Sequence, residues 1–290
     1  MKRLWERWVA LWDRREPATA LALVRICASV VLLVDYLWLA KLGMVHAMFS
    51  PSPVGFAGTD AVMWYGIVVG ALACTALGAA TPVACIVFAY ASARLSWAAP
   101  DGEAGSDELM RIVFPILALS RCNARWAVDA WVMRRLGRPF ADEVPAWPRY
   151  LLLLQLVWVY FSGGQNKASA GWGPLGGFTA LASSLLEPGP ARLPAGFVVA
   201  LYPLWRVGTA LTMAFELGAP IYLLAYAKDW RRVRWAWIAL GVMMELGIAI
   251  GLKLGSFPYA MLALFPVLLK PEELQRLNMR APANRASSPS

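Results

Sequence analysis

The chain has little histidine, little cysteine and few charged residues for its 290 residues. A single histidine, His46, excludes a metal site built on several histidine ligands. The 4 cysteines form no CxxC pair and lie in or beside apolar runs, as small core residues do. Only 16% of the residues are charged, which excludes an ordinary soluble domain. His46 itself lies in a loop, either as an ordinary surface residue or as a titrating or ligating group.

Apolar sequence and tryptophan are abundant. The chain is 59% hydrophobic and has 15 tryptophans, a residue that concentrates at membrane interfaces. We therefore predict an all-α fold: a polytopic integral membrane helical bundle with about eight transmembrane helices plus interfacial amphipathic helices. The predicted segments lie near residues 18–41, 61–79, 81–99, 108–121, 149–164, 206–227, 234–252 and 257–270. The fourth, fifth and eighth are shorter than the roughly 20 residues of an untilted span.

The positions and types of the basic residues predict the orientation of the protein in the membrane and the kind of organism it comes from. Most of the 27 lysines and arginines fall in the N-terminus, in 121–149, in 228–234 and in the tail from Lys270. With eight crossings these regions share one side, so the positive-inside rule places both termini in the cytoplasm. Arginine outnumbers lysine and alanine is abundant, which favours a bacterial protein of the inner (plasma) membrane. The net charge of +9 is then explained by topology, and no nucleic-acid partner is expected.

Three regions are predicted along the chain. Residues 1–16 form an interfacial amphipathic helix, residues 17–270 form the transmembrane domain, and residues 271–290 form a polar, disordered cytoplasmic tail. The first sixteen residues lack the continuous apolar core of a cleavable signal peptide. A second surface helix is expected in 121–149 from its arginines and from the side chains of Trp126, Trp131, Val132 and Leu136. Two apolar stretches within 168–205 are too short to span.

The most informative stretch is YFSGGQNKASAGWGPLGG, residues 160–177. It follows the apolar run LLLLQLVWV and places one lysine, Lys167, where a membrane helix should surface. A lysine leaving apolar surroundings has its charged form disfavoured, so Lys167 is a candidate base. Gly163 and Gly164 allow backbone or ligand to approach closely. The G-x-G-x-x-G pattern at 171–176 lacks a strand and a βαβ unit, so we interpret it as chance.

Residues 144–172, VPAWPRYLLLLQLVWVYFSGGQNKASAGW, resemble the vitamin K-dependent γ-carboxylase family and the related HTTM membrane proteins. Residues 257–263, FPYAMLA, followed by Pro266, resemble the same family. The resemblance implies that Lys167 is the base that deprotonates vitamin K hydroquinone. Two histidines of the family are replaced here by Ser106 and Glu245. The large lumenal domain of the animal enzyme is not expected, so full γ-carboxylation of protein glutamates is not expected either.

Two of the predicted spans have a carboxylate near mid-membrane, and the first span has two charged residues. Arg25 and Asp35 are about 15 Å apart along one helix, so each is expected to find its partner on another helix. Glu216 and Glu245 lie near mid-membrane, where a carboxylate is a functional-site candidate by default. For Glu245 the functional and structural interpretations stay equally open. For Glu216 we favour a structural one, in which it pairs with Arg25 or Arg94 or stays protonated.

Three functions are compatible with these features. In a quinone-dependent oxygenase, Lys167 would be the base, Gly163 and Gly164 would make room for the ring, Tyr160 and Trp172 would pack it, and Glu245 would position Lys167 or relay a proton. Its cofactor would be a reduced quinone of the vitamin K or menaquinol type, with no metal. Alternatively, the protein is a non-redox membrane maturation or partner protein for a secreted peptide. A transporter ranks last, because the two halves show no internal repeat.

Overall fold

The computed structural model describes residues 2–41, 58–98, 105–138 and 143–279, and these are mostly helical, as predicted. His46 lies outside the described residues. In chain order the α-helices of the described ranges are α1 Lys2–Asp13, α2 Thr19–Lys41, α3 Gly58–Leu77, α4 Thr81–Ala98, α5 Gly105–Leu119, α6 Val128–Arg135, α7 Trp147–Asn166, α8 Ala180–Leu186, α9 Ala195–Ala200, α10 Tyr202–Leu217, α11 Ala219–Ala227, α12 Arg231–Gly251, α13 Phe257–Ala263 and α14 Pro271–Met279.

The number of membrane-spanning helices differs from the prediction. Each of the eight predicted segments contains helix, but within the described residues only α2 and α12 are long and apolar enough to cross a membrane. A third span results if the bent pair α10 and α11 is counted as one. Helix α5 has 15 residues with Pro115 inside it, and α13 has 7 residues before a 3₁₀ turn. The count of eight is therefore not confirmed, because several segments are too short or too polar.

The predicted segment 206–227 is broken in its middle. Helices α10 and α11 meet at an angle of 53° across Gly218. Pro220 stands in the first turn of α11, where it has no N–H to continue the hydrogen-bond ladder of α10. The two short stretches before this break are α8 and α9, of 7 and 6 residues, which confirms that neither is long enough to span.

Helices occur in both places where a surface helix was predicted, and a further helix lies within the predicted tail. Helix α1 covers the predicted N-terminal helix, and α6 lies in the arginine-rich region. Residues 271–279, which the sequence placed in the disordered tail, form α14. The carboxylate of Glu273 accepts a hydrogen bond of 2.9 Å from the backbone N–H of Lys270, which caps this helix. Leu274 is buried, so tertiary contact stabilises a segment that is polar overall.

The chain divides into two compact units. The first consists of Met1–Gly102, Met110–Tyr150 and Phe265–Ser290, and the second of Glu103–Leu109 and Leu151–Leu264. In the first unit Arg25 is fully buried and donates hydrogen bonds to backbone carbonyls, at 2.6 Å to Thr75 and 2.6 Å to Trp126. Its partners thus lie on other segments, as expected, but they are carbonyl oxygens, one in the last turn of α3 and one just before α6, rather than a carboxylate.

Asp129 ties α6 to the start of α4. Its carboxylate accepts hydrogen bonds from the backbone N–H groups of Ala80 and Thr81, at 2.7 and 3.0 Å, and from the side chain of Asn123 at 2.8 Å. An acceptor at this position satisfies backbone donors that a helix start leaves without partners. Partial burial opposes ionisation of Asp129, but the hydrogen bonds outweigh it and lower the pKa of this carboxyl below its ordinary value.

Replacing Asp129 by alanine is expected to lower the free energy of unfolding by about 0.5–2 kcal/mol, because the backbone donors at the start of α4 lose their acceptor. Since the folded-state pKa is lowered, the stabilisation is complete above the unfolded-state value and is lost as the pH falls through the folded-state value. The midpoint of denaturant unfolding in mild detergent, followed from neutral to acidic pH, measures this. The variant should lose part of the acid sensitivity of the wild type; an equal pH dependence would contradict the assignment.

Two three-residue strands and a buried ion pair join distant parts of the same unit. Strand β1, Arg15–Pro17, pairs antiparallel with β2, Glu143–Pro145, and Glu16 stands opposite Val144. The Nε of Arg149 donates to Oε1 of Glu16 at 2.5 Å, and its guanidinium also donates to the carbonyl of Val267 at 3.1 Å. Both side chains of the pair are at most 3% exposed. The charges therefore neutralise each other where water does not reach.

Candidate functional site

A lysine–glutamate pair lies in the second unit. Lys167 comes directly after α7, which ends at Asn166, and Glu216 lies in the last turn of α10. The Nζ of Lys167 donates hydrogen bonds to both oxygens of the Glu216 carboxylate, with Oε1 at 2.5 Å. Their side chains are 22% and 8% exposed. A proton passing from Nζ to a carboxylate oxygen would turn the lysine into a neutral amine.

Aromatic and glycine residues surround Lys167. Its Nζ lies over the ring of Trp172, 4.9 Å from the ring centroid, which is a cation–π geometry. A Cβ placed on Gly163 would lie 3.9 Å from both Nζ of Lys167 and Oε1 of Glu216, an ordinary contact distance. A Cβ on Gly164 would lie only 3.0 Å from Cβ of Glu216. Gly163 thus leaves room for about one methyl group beside the ion pair, whereas Gly164 lets α7 approach α10 closely.

Replacing Gly164 by alanine is expected to displace Glu216 and weaken the ion pair, because the new methyl group meets the start of that side chain too closely. By the usual penalty for overpacking, the free energy of unfolding should fall by about 1–3 kcal/mol. The matched control is Gly163→Ala, whose methyl group fits at van der Waals distance and should change stability by less than about 1 kcal/mol. Denaturant unfolding of both variants measures this. Equal destabilisation would contradict the difference between the two positions.

Tyr160 and Glu245 form a second polar pair in this unit. The hydroxyl of Tyr160, on α7, donates a 2.7 Å hydrogen bond to Oε1 of Glu245, on α12. Glu245 is 1% exposed and interacts electrostatically with Lys167 and Glu216. The Tyr160 ring packs edge-on against Phe215, with 4.7 Å between centroids, and Phe215 stacks on Trp237 at 4.4 Å. Aromatic side chains therefore hold this pair in place.

The predicted site residues fall into these two groups. Lys167, Gly163, Gly164 and Trp172 lie together around the ion pair, while Tyr160 and Glu245 form the neighbouring hydrogen-bonded pair. The expected pairing of Glu216 with Arg25 or Arg94 is wrong, because Lys167 is its partner. Glu216 lies 49 residues from Lys167, so no local pattern joins them. In the sequence, the feature that marked Glu216 as a possible site residue was a carboxylate within an apolar segment.

Ser106 occupies one position where the resemblance implies a histidine. Its hydroxyl lies 3.0 Å from that of Ser256, and both residues are buried in the second unit. The glycine-rich stretch after Lys167 forms two short 3₁₀ turns, Ala170–Trp172 and Pro174–Gly176. The strands of the described residues, β1 and β2, are in the first unit, so these turns do not belong to a nucleotide-binding βαβ motif.

Comparison with known families matches the HTTM domain to residues 14–272. The chain belongs to the HTTM domain family. This match supports a relation to the membrane domain of vitamin K-dependent carboxylase, and together with the apolar helices it identifies a membrane protein. No curated protein and no solved structure matches the chain. The match includes the whole second unit, so Lys167, Glu216, Tyr160 and Glu245 all lie within it.

Proposed function

We propose that this HTTM protein is a quinone-dependent oxygenase that uses Lys167 as the base toward a lipid-soluble hydroquinone. The observation that carries the proposal is the Lys167–Glu216 pair, because an adjacent carboxylate at hydrogen-bond distance can take the proton that lysine must shed before it acts as a base. In the overall reaction the hydroquinone and O₂ give the quinone epoxide and water. One oxygen atom enters the epoxide, and the other leaves with the two hydroxyl hydrogens.

The surroundings of Lys167 fit a small hydroxyl-bearing ring. Gly163 leaves space beside Nζ, and Trp172 supplies an aromatic face next to it. Glu245 presents an oxygen, Oε2, that accepts no hydrogen bond from any residue the structure describes. A hydroquinone has two hydroxyl groups: neutral Lys167 could take the proton of one, and the other could form a hydrogen bond with the carboxyl group of Glu245. The quinone supplies the redox chemistry, and these side chains bind it and move protons.

A bacterial inner membrane with both termini in the cytoplasm completes the proposal. In that orientation Lys167 faces the external side, where a hydroquinone diffusing in the bilayer can enter between helices. The basic stretches at the N-terminus, in 121–149 and in 228–234 support this orientation. Cysteine accessibility from each side of sealed vesicles tests it, with Ser169→Cys expected to react only with a reagent added outside.

The experiment that tests the activity uses purified protein in lipid nanodiscs with oxygen and either reduced vitamin K or menaquinol. Mass spectrometry would detect the quinone epoxide, with Lys167→Ala as the comparison. Epoxide from wild type alone supports the proposal. No epoxide from folded wild-type protein with either quinone contradicts it, and would favour the alternative of a maturation or partner protein for a secreted peptide.

A further inference from the structure

Three ionisable side chains in the second unit interact electrostatically with one another. Lys167 can carry one positive charge, and Glu216 and Glu245 can each carry one negative charge. Glu216 is 6% exposed and Glu245 is 1% exposed, so neither carboxylate is well hydrated. Both glutamates lie in apolar helices, and one of these, α12, is long and apolar enough to cross a membrane. If both carboxylates were ionised, the group would have a net charge of −1, which is costly in such surroundings.

The two carboxyl groups have unequal partners. Both oxygens of Glu216 accept hydrogen bonds from Lys167. Only Oε1 of Glu245 has a partner, the hydroxyl of Tyr160, and its Oε2 is buried without a hydrogen bond from any described residue. An ionised carboxylate would leave lone pairs and charge uncompensated at Oε2, whereas a proton bound there removes the charge.

We propose that Lys167, Glu216 and Glu245 form a proton-binding site that holds one exchangeable proton on its carboxyl groups. While Lys167 pairs with Glu216, this proton is on Oε2 of Glu245, and the group is neutral. Because a single ammonium can balance only one carboxylate, loss of the Glu216 charge makes Glu245 the counter-ion of Lys167 and releases its proton. Proton binding and the pairing of Lys167 are therefore coupled.

The neighbouring elements add no other charge to this group. The groups that interact with Glu245 are Tyr160, Glu216 and Lys167. Helices α11 and α13, which pack against α12, have no ionisable side chains other than tyrosines. Helix α10 also packs against α12, and besides Glu216 it carries Arg206, an exposed residue that donates to the carbonyl of Gly177. The proposal concerns side chains of the proposed oxygenase site but does not depend on a quinol, and its test needs no turnover.

Infrared difference spectroscopy of the full chain in nanodiscs tests the proposal, because the carbonyl stretch of a protonated carboxyl is separate from the carboxylate bands. Wild type minus Glu245→Gln should contain the band of one protonated carboxyl. Glu216→Gln should lack that same band, because Glu245 becomes ionised against Lys167. Lys167→Met should have about twice the wild-type band, since both carboxyl groups then lack a cation. Lys167→Arg keeps a cation and should keep the wild-type band.

Two results would overturn the proposal. If Glu245→Gln had the same protonated-carboxyl band as the wild type, Glu245 would not hold the proton. A band that persists in Glu216→Gln would mean that burial alone keeps Glu245 protonated, with no coupling to Lys167. Circular dichroism and the thermal midpoint show whether each variant is folded, and Lys167→Arg with Lys167→Met tests the same coupling without changing either carboxyl group. Epoxide formation is measured separately, so its failure leaves these outcomes unaffected.

Discussion

Replacement of Lys167 by arginine is expected to abolish epoxide formation while leaving the protein folded. Arginine keeps the positive charge, and its planar guanidinium can form the same two-bonded pair with the carboxylate of Glu216. It cannot shed its proton near neutral pH, so it cannot act as a base. General-base catalysis contributes about 10²–10⁴-fold to a rate, and the turnover rate should fall by at least about 10²-fold. Mass spectrometry of the quinone product under saturating substrate measures this.

The informative control is Lys167→Met, which removes both the base and the cation. If Lys167 is the base, both variants lose activity, but only Lys167→Met loses the counter-ion of Glu216 and with it part of the protein's stability. Retention of more than about a tenth of the wild-type rate by Lys167→Arg would contradict the base assignment, because that loss is smaller than a general base contributes. Lys167 would then be a cation that holds Glu216 or a ligand in place.

Replacement of Arg149 by methionine is expected to be the most destabilising single change among those considered. Arg149 is 1% exposed, and it pairs with Glu16, whose side chain is 3% exposed. Removing one partner of a buried pair leaves the other charge without compensation, which costs about 3–5 kcal/mol. The carbonyl of Val267 also loses a donor. Denaturant unfolding in mild detergent, extrapolated to zero denaturant, measures the loss.

Two further variants separate the ion pair from general effects of losing an arginine. Arg138→Met removes an exposed arginine of the same unit and should change stability by less than about 0.5 kcal/mol. The double variant Arg149→Met with Glu16→Gln should recover part of the loss, because no buried carboxylate then remains without its cation. A double variant as unstable as Arg149→Met would show that lost packing, rather than the isolated charge of Glu16, causes the destabilisation.

Part of the fold could be predicted from the sequence. Apolar runs and tryptophans predicted a helical membrane protein, and the pattern around Lys167 predicted the HTTM family, which the domain match confirms. Helix starts and stops follow local rules, so each predicted segment does contain helix. The same local rules did not predict the number of membrane spans. The helix in the segment 206–227 is broken at Gly218, and α5 and α13 are too short to cross a membrane. Local rules also missed α14, because Leu274 is buried only through contact within the first unit.

Which charged residues pair with each other depends on their distance in space, and the sequence does not give that distance. By itself it determined the helical class, the family and the candidate Lys167, because composition, apolar runs and motif spacing are properties of neighbouring residues. Only the tertiary structure decided that Glu216 rather than Glu245 pairs with Lys167, and that Glu245 pairs with Tyr160. A charge buried in apolar surroundings takes whichever partner the packed helices bring within hydrogen-bond distance, and that packing joins residues 49 and 85 positions apart.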